Sequence, residues 1–267
     1  MEQLLSLLKT IPEYASAVSA LDSGESVAIT GIGQINRSHM IAGMQRDLNR
    51  PMVVLCQDDM AARRLQEELK GFLGQTVPVL PGRDLTLYDA AVVSRSWEQK
   101  RLRQLYDLAE EKTPLQIMTW ESLSQRTMPK QILLSAAFSL EVGKEYPIDD
   151  LTARLTAAGY NRCGMVEGPG QFAVRGGILD IYSPAEDQPV RAEFFGDELD
   201  TMGYFAPATP RRRENAETVT ILPVAETQPG LHPGGIEGLC KDISSLISRQ
   251  KRRKMSTSFS STHWKRT

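Results

Sequence analysis

The sequence predicts an α/β protein in two parts: a parallel sheet covered by helices, followed by a smaller α+β domain. Three observations carry this. Up to about Met128, short apolar runs alternate with helix-period segments, the pattern of strands buried on both faces. Near Ser135 the texture changes to short strands separated by Gly and Pro turns. And a glycine turn at Gly31 sits between the first apolar run and a helical segment, which is the setting of a phosphate-binding loop.

The bulk numbers fit a globular chain. It has 267 residues, 41% of them hydrophobic, and a formal charge of −2. The length is ample for a sizeable core. The small net charge gives no global attraction to nucleic acid or to membranes. The average hides an asymmetry: no acidic residue follows Asp242, whereas Arg249, Lys251, Arg252, Arg253, Lys254, Lys265 and Arg266 crowd the end. Cys56, Cys163 and Cys240 are odd in number and far apart, and His39, His232 and His263 form no ligand cluster. The expectation is free thiols in a reducing cytoplasm, with no metal. "MEQLLSLLKTIPEY" reads as an amphipathic helix rather than a leader, and no apolar run reaches spanning length, so no membrane is expected.

In chain order, "SVAIT" predicts a strand leading into a helix through "SHMIAGMQRDL", and "PMVVLC" one leading into "DDMAARRLQEELKGFL" with Asp58 as N-cap. "TVPVLP" precedes a helix through "SRSWEQKRLRQLYDLAEEK", and "LQIMTW" precedes "ESLSQRTM". Leu80–Val93 has no period and reads as a surface loop. These elements make a first domain over residues 1–134. The second, over 135–223, opens with the strand "AFSLEVGKEY" and a short helix started by Pro147 and stopped by Gly159. Strands follow through "QFAVRGGILDIYSP", "PVRAEFFGDELDTMGYFAP" and "ETVTILP", with Gly176-Gly177 read as a bulge or bend. Residues 224–250 are expected to form a helix returning to the first domain, and 251–267 a disordered basic tail.

Two stretches carry chemistry. In "TGIGQINRSHM" a phosphate loop would end in Gly-Lys-Ser/Thr, but Asn36 and Arg37 replace its glycine and lysine while Ser38 is kept after Gly31. Asparagine tolerates the left-handed backbone such a turn needs. A planar, branched guanidinium is a poor substitute for a compact ammonium in a tight cradle. The loop is therefore read as a structural turn. In the second stretch, alternation along a strand places Arg191, Glu193 and Phe195 on one face, with Val190, Ala192 and Phe194 on the other. Ala173 and Arg175 likewise oppose Phe172 and Val174. If the strands pair, Arg175, Arg191 and Phe195 share an exposed face. Arginine beside an aromatic is the composition of a binding hot spot, and it is equally the composition of a solvated strand whose Phe195 packs under a loop.

The residues "FAVRGGILDIYSP…VRAEFFGDELDTM…LPVAE" resemble the signature of the family that joins the excision-repair protein UvrB to the transcription-repair coupling factor Mfd, from about residue 10 to Glu226. Two departures favour the coupling-factor side. The loop is degenerate, and the stretch "LPGRDLTLYDAAVVSRSWEQKRL", with Tyr88 as its one aromatic before Trp97, has no room for the long aromatic hairpin with which UvrB grips DNA. The resemblance implies a P-loop-NTPase-like first domain and a non-catalytic N-terminal module that recruits UvrA to stalled RNA polymerase. It also implies that Arg175, Arg191 and Phe195 contact UvrA. ATP and Mg²⁺ would then belong to a DNA-translocating motor absent from this sequence, and RNA polymerase and DNA would be met through other parts of the parent protein. Glu193 is expected to orient Arg191. Two readings compete: a nucleotide-dependent, damage-binding enzyme of the UvrB kind, and a nonfunctional fragment ended by truncation or a shifted frame.

Overall fold

The computed structural model describes residues 2–83, 96–207, 209–227, 232 and 234–262, which fall into two compact units, Met1–Lys130 and Gln131–Thr267. The expected loop from 80 to 93 lies, beyond Arg83, outside the described residues.

The first unit begins with α1 (Glu2–Leu7), a 3-10 turn at Leu8–Thr10 and α2 (Pro12–Asp22), where Pro12 occupies the first helical turn. A proline costs nothing there, because its missing N–H would have had no partner in the helix. After α3 (Gln34–Leu48) come β1 (Met52–Cys56), α4 (Asp59–Leu73), β2 (Val79–Leu80), α5 (Ser96–Ala109), β3 (Leu115–Thr119) and α6 (Trp120–Ser124). The sheet is parallel, in the order β1-β3-β2, with Met52 opposite Leu115 and Val79 opposite Ile117. Every residue of the central strand β3 is buried; its two polar side chains are hydrogen-bonded there, Gln116 Nε2 donating to the Pro78 carbonyl and the Thr119 hydroxyl accepting from the Ser122 N–H. Asp58 caps α4 by accepting a hydrogen bond from the Ala61 N–H at 2.8 Å. The helix stops at Gly74, whose φ of 71° few other residues would adopt. Ala42, Ala62, Leu69, Val77, Leu115 and Ile117 form the core between sheet and helices.

Two expectations for this unit fail. Ser26–Thr30 forms no strand; the segment is extended, unladdered and largely exposed. Its β-branched residues favour a pleated surface only where a neighbouring strand supplies the ladder and the packing. Here Val27 turns instead into a small cluster with Leu8, Tyr14, Ala17 and Met44. The helix expected from Ser38 starts one turn earlier, at Gln34, with extended Gly33 as its N-cap. The parallel α/β character is therefore present, without the strand that leads into the loop of a P-loop NTPase.

In the second unit α7 (Lys130–Ala136) leads into β4 (Phe138–Glu141) and α8 (Ile148–Ala157), which is preceded by Pro147 and followed by Gly159 at φ 90°. The chain then builds β5 (Asn161–Arg162), β6 (Gln171–Arg175), β7 (Ile178–Tyr182), β8 (Val190–Phe195), β9 (Glu198–Ala206), β10 (Thr209–Asn215) and β11 (Thr218–Ile221). The sheet order is β10-β9-β8-β7-β6-β5, antiparallel except for β5 beside β6, and β11 pairs separately with β4. One face of the large sheet carries Phe172, Leu179, Ile181, Val190, Ala192, Leu199 and Met202, which join Leu151 and Leu155 of α8 and Leu140 in one core. Each of these side chains larger than Ala192 contributes about 1.5–3 kcal/mol by leaving water.

Gly176-Gly177 is the two-residue turn of the β6–β7 hairpin rather than a bulge, since Arg175 pairs directly with Ile178. Gly176 has φ 61°, and a Cβ on Gly177 would lie 2.8 Å from the Phe194 carbonyl oxygen. Both glycines are thus required, one by conformation and one by space. α9 (Gly235–Thr262) runs into residues where an aperiodic tail was expected; it groups with the second unit, and the side chains of residues 240–250 are all exposed. Lys, Arg, Met and Gln are good helix formers, so intrinsic propensity continues the helix past the last apolar repeat.

Candidate functional site

The degenerate loop is divided by its own geometry. Gly31 keeps the left-handed backbone such a turn needs, at φ 76°. But α3 has consumed the rest: the Arg37 N–H donates to the Gly33 carbonyl at 3.1 Å, so it belongs to the helix and not to a cradle. Gly31 and Asn36 line an open cleft of about 1100 Å³ with Leu7, Ile11, Tyr14 and Val27, an apolar setting for a phosphate. Arg37 and Ser38 line a different cleft, of about 410 Å³, beside Arg64 and Glu68 of α4. There the buried Ser38 hydroxyl donates to Glu68 Oε2, and Gln34 Nε2 donates to Glu68 Oε1 at 2.9 Å. A carboxylate of the protein itself thus takes the hydroxyl that would hold a Mg²⁺ ion in a working loop.

The second-unit strands bring their charged residues together. Register puts Ala173 opposite Asp180, Asp180 opposite Arg191, and Arg191 opposite Gly203, so these share the face turned away from the core. Arg191 approaches Asp180 as a fork, Nε to Oδ1 at 2.7 Å and Nη2 to Oδ2 at 2.9 Å. Arg175, two residue pairs further along the hairpin, reaches diagonally to donate Nη2 to Asp180 Oδ2 at 2.5 Å. The Asp180 side chain is 2% exposed, that of Arg191 18% and that of Arg175 51%. The Arg191 guanidinium carbon stands 4.9 Å from the centroid of the buried Phe205 ring. The hydrogen bonds that Arg191 donates to Asp180 raise its pKa above the usual arginine range, against the opposing effect of its burial.

Two guanidinium groups on one carboxylate leave a local positive charge over Asp180, and Glu193 of β8 lies on the same face, in register with Ile178. Phe195 completes it from the tip of β8, opposite Glu198, with 85% of its surface exposed. It is four residues from Arg191, about 13 Å along the strand. Phe195 packs under no loop, and only the two arginines actually converge. Glu193 accepts a hydrogen bond from the Thr201 hydroxyl at 3.4 Å and adds to Arg191 a coulombic attraction weaker than the hydrogen bonds to Asp180. Asp180, the residue that organises the pair, was missed in the sequence. Its signal was there, as one charge between apolar neighbours in "GGILDIY".

Among the described residues no group of His, Cys, Asp and Glu is placed to hold a metal ion, and no helix is long and apolar enough to cross a membrane. Cys56, Cys163 and Cys240 are free thiols.

Residues 138–226, which contain this face, match the family model of the UvrB interaction domain. The chain is similar to the transcription-repair-coupling factor of Myxococcus xanthus, 31% identical over 80% of this chain and 18% of the relative. It is also similar to the Bacillus subtilis factor, at 26% over 85% of this chain and 19% of the relative. For the Escherichia coli factor the figures are 30%, 66% and 15%. The chain thus spans less than a fifth of the length of each of these curated relatives.

Proposed function

We propose, from the premise that this chain belongs to the UvrB-like family of the transcription-repair-coupling factors, that it is a non-catalytic docking module that recruits UvrA in transcription-coupled excision repair. The observation that carries this reading is the face of β6, β7 and β8. A buried carboxylate fixes two arginines there, a largely exposed aromatic stands further along β8, and the whole lies inside the matched domain. Exposed Arg and Phe held rigidly over a packed core are the anchors that protein interfaces use. In this reading Arg175 and Arg191 meet acidic groups on UvrA and Phe195 enters an apolar socket.

ATP hydrolysis, translocation on DNA and contact with RNA polymerase then belong to regions of the relatives that this chain does not match. The reading of the chain as a nucleotide-dependent enzyme has little to stand on: its loop residues are split between two clefts, and the serine hydroxyl is engaged by Glu68. Titration calorimetry against UvrA from the same source tests the proposal. Wild-type chain binds, and Arg191→Ala weakens binding by about 2 kcal/mol or more. A folded wild-type chain with no measurable heat of binding would end the docking role.

A further inference from the structure

The docking reading names three residues that touch the partner, and it leaves open what makes them a site. We infer that Asp180 is the positioning residue of the face: it touches no partner, and it sets both guanidinium groups in the one arrangement that an anionic partner surface meets. The inference rests on the docking reading above.

The geometry supports this in three ways. Asp180 is the buried charge of this sheet face, with its carboxylate shielded beneath both arginines. A carboxylate so enclosed holds its charge only if cations and donors satisfy it. It uses both oxygens for Arg191 and shares one with Arg175, so a single group fixes the spacing of two side chains that come from different strands. Without it, each arginine is a long, rotamer-rich side chain on a solvated strand, and ordering it on binding costs side-chain entropy. With it, that cost is met on folding. Glu193, the acidic residue nearest Arg191 in sequence, accepts from Thr201 and attracts Arg191 more weakly than Asp180 does.

The same face shows why the exposed end matters. Arg175 sits at the mouth of the Gly176-Gly177 turn, and half of its side chain remains in solvent while Nη2 is held. Its guanidinium is therefore pinned at one corner and open at the rest, the posture of a donor waiting for a carboxylate.

The test is a thermodynamic cycle on the full chain, read by titration calorimetry against purified UvrA. Asp180→Asn keeps the side-chain volume and removes the charge; it is expected to weaken binding at least tenfold while the protein still melts cooperatively. In the Arg175→Ala/Arg191→Ala background the same substitution is expected to change affinity less than twofold, because no arginines remain to position. An equal loss in both backgrounds overturns the inference, since a merely structural Asp180 would act through the fold. Should Asp180→Asn fail to fold, Arg191→Lys decides. It keeps the charge but cannot make the two-pronged contact, so wild-type affinity in that variant also overturns it. The docking reading fails separately, if Arg191→Ala binds as wild type does. An Arg191→Ala loss with no Asp180→Asn loss leaves docking intact and removes only Asp180.

Discussion

The two units handle polar side chains in opposite ways. In the first, polar groups of the loop are tied to the protein itself: the buried Ser38 and the exposed Gln34 both donate to Glu68, and the Arg37 amide lies inside α3. In the second, a buried carboxylate holds two arginines at the surface, and a phenylalanine is left in water further along β8. A motif whose donors are internally consumed is scaffolding. A motif whose donors are braced from within while part of a guanidinium stays in solvent, as at Arg175, is the arrangement the docking proposal relies on. The contrast is one of side-chain partners rather than of residue types.

The strongest way to break the contrast is to remove the scaffold under the second-unit face. Phe172→Ala empties a fully buried site beneath β6 and is expected to cost about 3–5 kcal/mol. A denaturant titration measures it, and UvrA binding should fall with the folded fraction. Next in size is Arg191→Ala, expected to cost about 2 kcal/mol or more in UvrA affinity.

A pH titration sharpens the inward-facing side of the comparison. Asp47 lies in the first unit, where Arg46 Nε and the Tyr14 hydroxyl each donate to it at 2.9 Å and the Lys9 ammonium stands 3.3 Å away. Burial pushes its carboxyl up, but those three partners outweigh burial and hold it below the usual carboxylate range. A depressed folded value means the stabilisation is fully present above the unfolded value, about 4, and is lost as pH falls through the folded one. The stability gap between wild type and Asp47→Asn should therefore be wide at pH 7 and narrow at pH 3. A gap that does not change with pH contradicts this.

Phe195→Ala separates docking from folding most cleanly. Because the ring is exposed, stability should stay within about 0.5 kcal/mol, while UvrA affinity drops by more than about 1 kcal/mol. If both stay unchanged, Phe195 is a surface residue with no partner. The smallest expected effect is on nucleotide: Arg37→Ala should leave ATP binding at the wild-type level, with no saturable signal in either protein. A saturable signal lost on substitution would revive the enzyme reading.

Much of this was legible in one dimension. Period-2 alternation put Arg175, Arg191 and Phe195 opposite the core residues, and the pairing register of β6, β7 and β8 places them there. Strand faces can be read this way because the side-chain period of a strand is fixed by local geometry alone. Apolar continuity likewise marked β1 and β3, and Asp58 marked the start of α4.

What failed in the sequence reading was what depends on a distant neighbour. "SVAIT" has the composition of a strand, yet no ladder forms there, because a strand exists only where another segment pairs with it. Glu193 was the obvious partner for Arg191 by proximity along the chain, and Asp180, eleven positions away and directly opposite across the β7–β8 register, takes it. Composition, alternation and caps are properties of a few consecutive residues, so the sequence by itself determined the class of each unit and the sidedness of its strands. Which carboxylate meets which guanidinium, and whether a glycine turn opens onto a cradle or closes into a helix, depends on non-local contacts whose partners are chosen only when the chain packs. The tertiary structure alone decided those.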